Sequence, residues 1–237
     1  MRKLLLSAGG ALALVSSAQA GDVQPNPYRS RDVPLGSFDR LEVSGPFQVG
    51  VSVGGGPAKV RLYGPPALLA DTIAEVDGGT LKIRFREGAS WSWNSGSGMI
   101  VSIHAPSLVS TRVVGAAQVE IDGVKGEAFS AATEGSGTIV LSGLDAGHVR
   151  FATASSGGII AEGTAREGSY AAGGSGSIDA KRLRVESASI ALGGSGSIHA
   201  DVSGTARVSG RGSGRVDVVG GANCITPPAD SPQTECR

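Results

Sequence analysis

The chain contains 237 residues, 38 of them glycine, and its formal net charge at pH 7 is zero. The glycines follow no three-residue period, which excludes a collagen helix. A hydrophobic content of 40% with balanced charge excludes an intrinsically disordered chain. The sequence carries no basic stripe, so we expect no nucleic-acid partner.

The first twenty residues have the composition of a signal peptide. Arg2 and Lys3 precede an apolar stretch over residues 4–15, and the sequence AQA at 18–20 matches the small-x-small pattern that signal peptidase recognises. The apolar stretch is shorter than the roughly 20 residues that a membrane-spanning helix needs. We therefore expect a cleaved signal peptide over residues 1–20, export to the periplasm, the cell surface or the medium, and no transmembrane segment.

The next region changes from a linker to short strands. Residues 21–36 contain three prolines and little apolar periodicity, which is typical of an extended linker. Residues 37–103 alternate apolar with polar positions between glycine-rich turns, so we predict a strand-rich portion. The segment 65–76 is the one helix candidate there, with prolines at its start. A loop followed by a strand explains this segment equally well.

An internal repeat dominates the second half of the chain. Glycine- and serine-rich pentapeptides such as GSGSI recur, and each ends at an apolar anchor. With one earlier and weaker copy, the anchors are Val119, Ile139, Ile159, Ile178, Ile198 and Val216. Their separations are 20, 20, 19, 20 and 18 residues. A period near 20 with strand-like alternation predicts a β-solenoid, because one repeat cannot bury its apolar face alone.

We therefore predict an all-β chain in which residues 104–220 form a right-handed β-helix with coils of about 20 residues. Successive coils would stack at a strand spacing of about 4.8 Å, so that equivalent positions form ladders. The recurrent glycines would occupy a corner that requires positive φ. The serines between them would form a hydroxyl ladder along that corner: Ser136, Ser175, Ser195 and Ser213.

The motifs predict no catalytic, metal-binding or cofactor-binding residue. The repeated serines lack the Gly-x-Ser-x-Gly pattern of a nucleophile elbow. His104, His148 and His199 are too widely spaced for a His-x-His or His-x-x-x-His metal motif. Asp179 and Asp217 occupy equivalent outward places, but a histidine separates them in the stack, so we expect no adjacent acidic pair.

Trp91 and Trp93 are the candidate ligand platform. In an extended Trp-Ser-Trp segment both rings point to the same side of the strand. Such aromatic faces, followed by a polar loop, suit sugar rings. The alternative is that the two rings cover the open end of the core where the first half of the chain meets the solenoid.

The two cysteines, Cys224 and Cys236, lie within the last fourteen residues. In an oxidising compartment such a pair forms a structural disulfide. A redox motif or a metal pair is disfavoured, because the cysteines are twelve residues apart and no histidine lies nearby. We expect residues 221–237 to form a disulfide-closed tail that covers the last coil.

Three segments in their order along the chain resemble the head GIN domain family. They are FDRLEVSGPFQVGVSVGGGPAKVRLYGPP, VSIHAPSLVSTRVVGAAQVEIDG and the GSGSI coils, and the resemblance covers roughly residues 37–220. The family is described as one of autotransporter adhesins, so the resemblance implies a secreted or envelope β-solenoid protein. It implies no catalytic or ligand-binding residue, and a shared fold does not by itself establish function.

Together these observations favour an exported binding protein of the envelope or cell surface, adhesive and without enzymatic activity or cofactor. Its expected partner is a glycan or another envelope protein. Two alternatives stay open at this point: a hydrolase or lyase that modifies polysaccharide on a β-helix, and a structural or assembly protein of the cell envelope.

Overall fold

The computed structural model describes residues 28–89, 98–226 and 232–237. Within these ranges the chain forms strands and one short helix, which are numbered below in chain order. The N-terminal elements are β1 (Arg29–Val33), β2 (Arg40–Ser44), β3 (Phe47–Val53), β4 (Lys59–Gly64), α1 (Pro66–Asp71), β5 (Thr72–Asp77), β6 (Thr80–Phe85) and β7 (Met99–Ala105). The next strands are β8 (Ser110–Gly115), β9 (Gln118–Asp122), β10 (Lys125–Gly135), β11 (Thr138–Thr153), β12 (Gly158–Gly174), β13 (Ser177–Gly194), β14 (Ser197–Arg211), β15 (Arg215–Val219), β16 (Asn223–Ile225) and β17 (Gln233–Cys236).

The strands build two stacks, which we call the first and second face of the solenoid. The first face runs in the order β4, β7, β3, β9, β11, β12, β13, β14, β15 and β17. The second face runs in the order β5, β6, β2, β8, β10, β11, β12, β13, β14 and β16. The long strands β11 to β14 belong to both faces, since each bends at a corner and continues. This arrangement is a β-solenoid of about six turns with coils of roughly 20 residues, as the repeat predicts.

The predicted anchors form a continuous buried ladder on the first face. Ile159 pairs in register with Ile139 on one side and with Ile178 on the other, and Ile178 pairs with Ile198. Each of these side chains is at most 1% exposed. Stacking identical apolar side chains in this way removes a continuous column from water, which is the main force that holds coil to coil.

The strand-rich N-terminal portion stacks onto the same solenoid. Val49 of β3 pairs in register with the anchor Val119, so the ladder continues into the first half of the chain. The helix candidate divides into two elements, because α1 occupies only residues 66–71 and β5 follows directly at 72–77. Part of the predicted linker is also ordered, since residues 29–33 form β1 against β4.

Antiparallel strands close the N-terminal end, and the tail lies at the other end. β1 pairs with β4 and β5 with β6 in antiparallel fashion, whereas β16 and β17 add parallel strands to β14 and β15. The Cys224–Cys236 disulfide joins β16 to β17 and therefore links the two faces at the last coil. In the described ranges no helix has the length and apolar character that crossing a membrane requires.

Candidate functional site

A groove of about 940 Å³ runs along the outer surface of the second face. It begins beside residues 107–109 and crosses β10, β11, β12 and β13 to reach Arg207 on β14. Five strand spacings give it a length of roughly 24 Å along the solenoid axis. Because the coils are in register, side chains from successive coils line the groove in rows parallel to that axis.

One of these rows carries two arginines separated by serines. Arg150 pairs in register with Ser169, Ser169 with Ser189, and Ser189 with Arg207, and we call these four residues the Arg–Ser row. Both arginines are exposed. In the described ranges, neither guanidinium takes part in a hydrogen bond or ion pair, and the same holds for the Ser169 and Ser189 hydroxyls. The row therefore presents unused donors to solvent along the groove.

A charged cluster forms the opposite wall of the groove. His148 lies between two carboxylates, with its Nδ1 atom 3.2 Å from Glu167 and its Nε2 atom 3.5 Å from Glu127. Arg166 donates a 2.6 Å hydrogen bond to the same Glu127 oxygen. All four side chains are between 48% and 74% exposed. Their interactions are thus solvated contacts between coils, which contribute little to stability.

The floor of the groove is apolar, and its packing requires a glycine at position 168. Phe129 and Ala188 are buried beneath the rows, at 2% and 5% exposure. A Cβ atom on Gly168 would lie 2.6 Å from the Tyr170 hydroxyl oxygen, so a side chain there would collide with the ring. Tyr170 is itself buried, and its hydroxyl has no hydrogen-bond partner among the described groups. Burial, followed by the nearby Asp201 carboxylate, raises the pKa of the Tyr170 phenol.

A second charged cluster lies at the end of the first face. Asp217 is 6% exposed and accepts a 3.0 Å hydrogen bond from Arg237. Its other oxygen is 3.6 Å from His199 Nδ1 and 3.8 Å from Lys181 Nζ. Burial alone would raise the pKa of Asp217, but the Arg237 hydrogen bond and the surrounding cations outweigh it and lower that pKa below its ordinary value. Cationic side chains of the same chain balance the negative charge of this carboxylate, which is typical of a structural ion pair.

The pair Ser52 and His104 on the first face has the atoms of a catalytic dyad but not its setting. Ser52 donates a 3.0 Å hydrogen bond to His104 Nδ1, because the Nε2 atom donates to the Gly55 carbonyl oxygen at 3.0 Å. However, β3 is paired with β7 on one side and β9 on the other, so the sheet uses the backbone N–H groups around Ser52. An acyl-transfer site needs free donors for the oxyanion. The contact therefore joins β3 to β7 rather than forming a reaction centre.

The structure places the residues predicted from sequence as follows. The disulfide between Cys224 and Cys236 is present. Trp91 and Trp93 lie outside the described residues, so the ligand platform stays a prediction. The hydroxyl ladder is formed at one step, where Ser195 and Ser213 lie 3.3 Å apart.

The expected separation of the outward acids is confirmed. On the first face His199 pairs in register with both Asp179 and Asp217 and so keeps the two carboxylates apart. Across the described part of the chain, no group of three His, Cys, Asp or Glu side chains could hold a metal ion.

The groove residues were missed by motif analysis because no local pattern marks them. Arg150 and Arg207 are 57 residues apart in sequence, and only the coil register brings them into one row. Counting from the coil anchors Ile139, Ile159, Ile178 and Ile198 gives offsets of 11, 10, 11 and 9 residues, so the sequence alone does not align the row. Register shifts between each anchor and the row account for the unequal offsets.

Comparison with solved structures supports the fold. A "putative adhesin" from Bacteroides fragilis matches with a TM-score of 0.79 at 19% identity, covering 89% of this chain and 94% of that one. A "putative lipid binding protein" from Parabacteroides distasonis matches with a TM-score of 0.68 at 19% identity, covering 89% and 95%. A "putative adhesin" from Parabacteroides merdae matches with a TM-score of 0.66 at 14% identity, covering 90% and 95%. At these identities the likeness concerns the fold alone.

No curated protein matches the chain. A family described as "Putative auto-transporter adhesin, head GIN domain" matches residues 37–222. This range contains the strand-rich portion, every coil anchor and the whole groove, and it agrees with the resemblance noted from the sequence. The chain therefore belongs to the head GIN domain family.

Proposed function

We propose that the chain is an exported, non-enzymatic binding protein of the cell envelope or cell surface, and that it holds its ligand in the groove of the second face. The observation that carries this proposal is the groove itself, in which two arginines and two serine hydroxyls without partners among the described residues lie above an apolar floor. Ligand sites combine an apolar surface with a few polar groups that give orientation and specificity. This groove has that composition, and neighbouring coils supply it in register.

Export is supported by two features of the chain. Residues 1–20 have the charge and apolar pattern of a signal peptide, and the Cys224–Cys236 disulfide suits an oxidising compartment. An adhesive role is supported by the description of the family and by the names of two structural neighbours.

One observation favours a second candidate, an enzyme that cleaves polysaccharide. Glu127 and Glu167 flank His148 in the groove, and glycan-cleaving enzymes use acids in pairs. A general acid, however, needs an environment that raises its pKa, usually by burial. The two carboxylates are 74% and 62% exposed, and Arg166 already engages Glu127. We therefore favour binding over cleavage.

The proposal is tested by sedimentation of the purified protein with envelope fractions of its own cells. Binding should be saturable, and Ser189→Trp, which fills the groove, should weaken it. The matched control is Ser177→Trp, since Ser177 is an exposed residue on the first face of the same strand. No saturable binding to any fraction would overturn the proposal. Release of soluble sugar fragments from the envelopes, abolished by Glu167→Gln, would instead establish the enzyme.

A further inference from the structure

We propose that the ligand of the groove is an extended anionic polysaccharide, which lies along the solenoid axis and is held by Arg150 and Arg207. This inference rests on the proposed function, because it names the class of ligand for the same groove. The structure must meet three conditions. The groove must hold cations without ion-pair partners, their separation must suit a linear polymer, and the surface must fit a polysaccharide better than a peptide, a lipid or a nucleic acid.

Neither arginine has a partner among the described residues, and the coil register fixes the separation of their backbones. Arg150 and Arg207 are three coils apart in one register row, so their Cα atoms are separated by roughly 14 Å. A polymer that carries acidic groups at intervals can reach both guanidiniums at once. Each guanidinium can bind a carboxylate, sulfate or phosphate through two parallel hydrogen bonds.

The charge of the groove favours an anionic ligand over a neutral one. Lys125 also lines the groove and has no ion pair in the described ranges, so three cations lack a partner. Of the two acids of the opposite wall, Glu127 is paired with Arg166, and Glu167 contacts His148, which is charged only when protonated. Even with His148 neutral, the three cations that lack a partner and Arg166 outnumber the two carboxylates. The net charge is therefore positive, and the site would attract polyanions at low salt.

The chemistry of the surface favours a glycan over a peptide. An acidic peptide in extended form binds best by adding a strand to a sheet edge, where backbone groups are unpaired. The groove instead lies across β10 to β14, whose backbones are paired with each other. Its polar contacts come from side chains, and Ser169 and Ser189 offer hydroxyls between the two arginines. A polyhydroxylated chain with acidic groups complements this row.

A lipid or nucleic-acid surface fits less well. Among the residues that line the groove, the one exposed large apolar side chain is Val109, at the N-terminal end. The lining holds two aromatic rings: Phe129, which is buried in the floor, and the His148 imidazole, which lies between Glu127 and Glu167. Neither offers an open face on which a base could stack.

The test is isothermal titration of the purified protein with four polymers. Polygalacturonate and dextran sulfate are the anionic glycans, dextran is the neutral glycan, and polyglutamate is the acidic peptide. The variant Arg150→Ala/Arg207→Ala removes both ends of the row. Its matched control, Lys59→Ala/Arg211→Ala, removes two exposed cations that lie outside the groove.

We expect one or both anionic glycans to bind, with an affinity that falls as salt is added. The groove variant should lose about tenfold or more, because each guanidinium makes charge-assisted hydrogen bonds. The control should retain the wild-type affinity. Both variants should give the circular dichroism spectrum of the wild type, since the substituted residues are exposed.

Three results would overturn the inference. They are equal losses in the groove variant and the control, binding of dextran or polyglutamate as tight as that of the anionic glycans, and no binding of either anionic glycan. The last result leaves the proposed function intact if the protein still sediments with envelope fractions, so the two failures can be told apart.

Discussion

Asp217 on β15 accepts a 3.0 Å hydrogen bond from Arg237, the residue that follows β17. The contact ties the tail to the last complete coil, next to the strand that the disulfide also secures. The ladder of apolar anchors ends at β15. The tail is therefore held to this last coil partly by polar contacts.

This ion pair gives the stability of the chain a defined pH dependence. The pKa of Asp217 is lowered in the folded state, so its contribution is present at neutral pH and is lost as the pH falls below about 4. Asp217→Asn should therefore lower the free energy of unfolding by about 1 kcal/mol at pH 7. Urea unfolding at pH 7 and at pH 3 checks this. A difference between wild type and variant that stays constant across this range would contradict it.

The anchor ladder predicts a severe effect at Ile178. Ile178→Asp places an unpaired charge in the core and should cost about 5 kcal/mol or more, which unfolds the solenoid. Ile100→Asp is the matched control, because Ile100 is 38% exposed whereas Ile178 is fully buried. Thermal melting followed by circular dichroism measures both. A cooperative, native-like melt of the Ile178 variant would show that the register is wrong.

The glycine-rich corner of the coil predicts different effects on stability when each of two adjacent glycines is replaced by alanine. Gly194 has φ of +124°, and a Cβ atom there would collide with the carbonyl oxygen of Gly174 in the neighbouring coil. Gly194→Ala should therefore cost about 1–3 kcal/mol from backbone strain, and more from the collision. At Gly193 φ is not positive and the nearest atom to a Cβ is 4.0 Å away, so Gly193→Ala should change stability little. Equal effects in urea unfolding would contradict the corner geometry.

The buried phenol predicts a substitution that does not harm stability. The Tyr170 hydroxyl is buried and has no hydrogen-bond partner in the described part of the chain, so Tyr170→Phe removes a desolvated polar group and should be neutral or stabilising by up to about 1 kcal/mol. Ile190→Val, at the next position of the same ladder, should cost about 0.5–1.5 kcal/mol because it leaves a small cavity. A loss above 1 kcal/mol for Tyr170→Phe would show that the hydroxyl is bonded in solution.

The repeat made the solenoid predictable from sequence, because each anchor side chain is apolar and its spacing alone defines the coil. Strand β1 was not predictable in this way, since its sequence RSRDV is polar and the strand depends on pairing with β4. A local pattern cannot report that partner. The bounds of the short helix α1 depend on tertiary pairing in the same way, because β6 determines where β5 begins to pair.

The groove was hidden by irregular coil lengths. The steps from Arg150 to Ser169, Ser189 and Arg207 are 19, 20 and 18 residues, so no fixed sequence period connects the row. Register shifts between Ile160 and Glu162, and between Ala180 and Arg184, absorb these differences at the corners. Bulges of this kind change the count of residues without changing which side chains are stacked.

Ligand binding in the groove requires that the chain reaches a compartment in which envelope or external ligands are present. The most direct measurement is protease shaving of intact native cells, followed by fractionation and mass determination of the chain. We predict that the mass of the chain corresponds to loss of residues 1–20. The added protease should either digest this mature chain on intact cells or reach it only after the outer membrane is permeabilised. Loss from intact cells would favour adhesion, and protection would favour binding within the periplasm. A cytoplasmic chain that retains residues 1–20 would contradict the account.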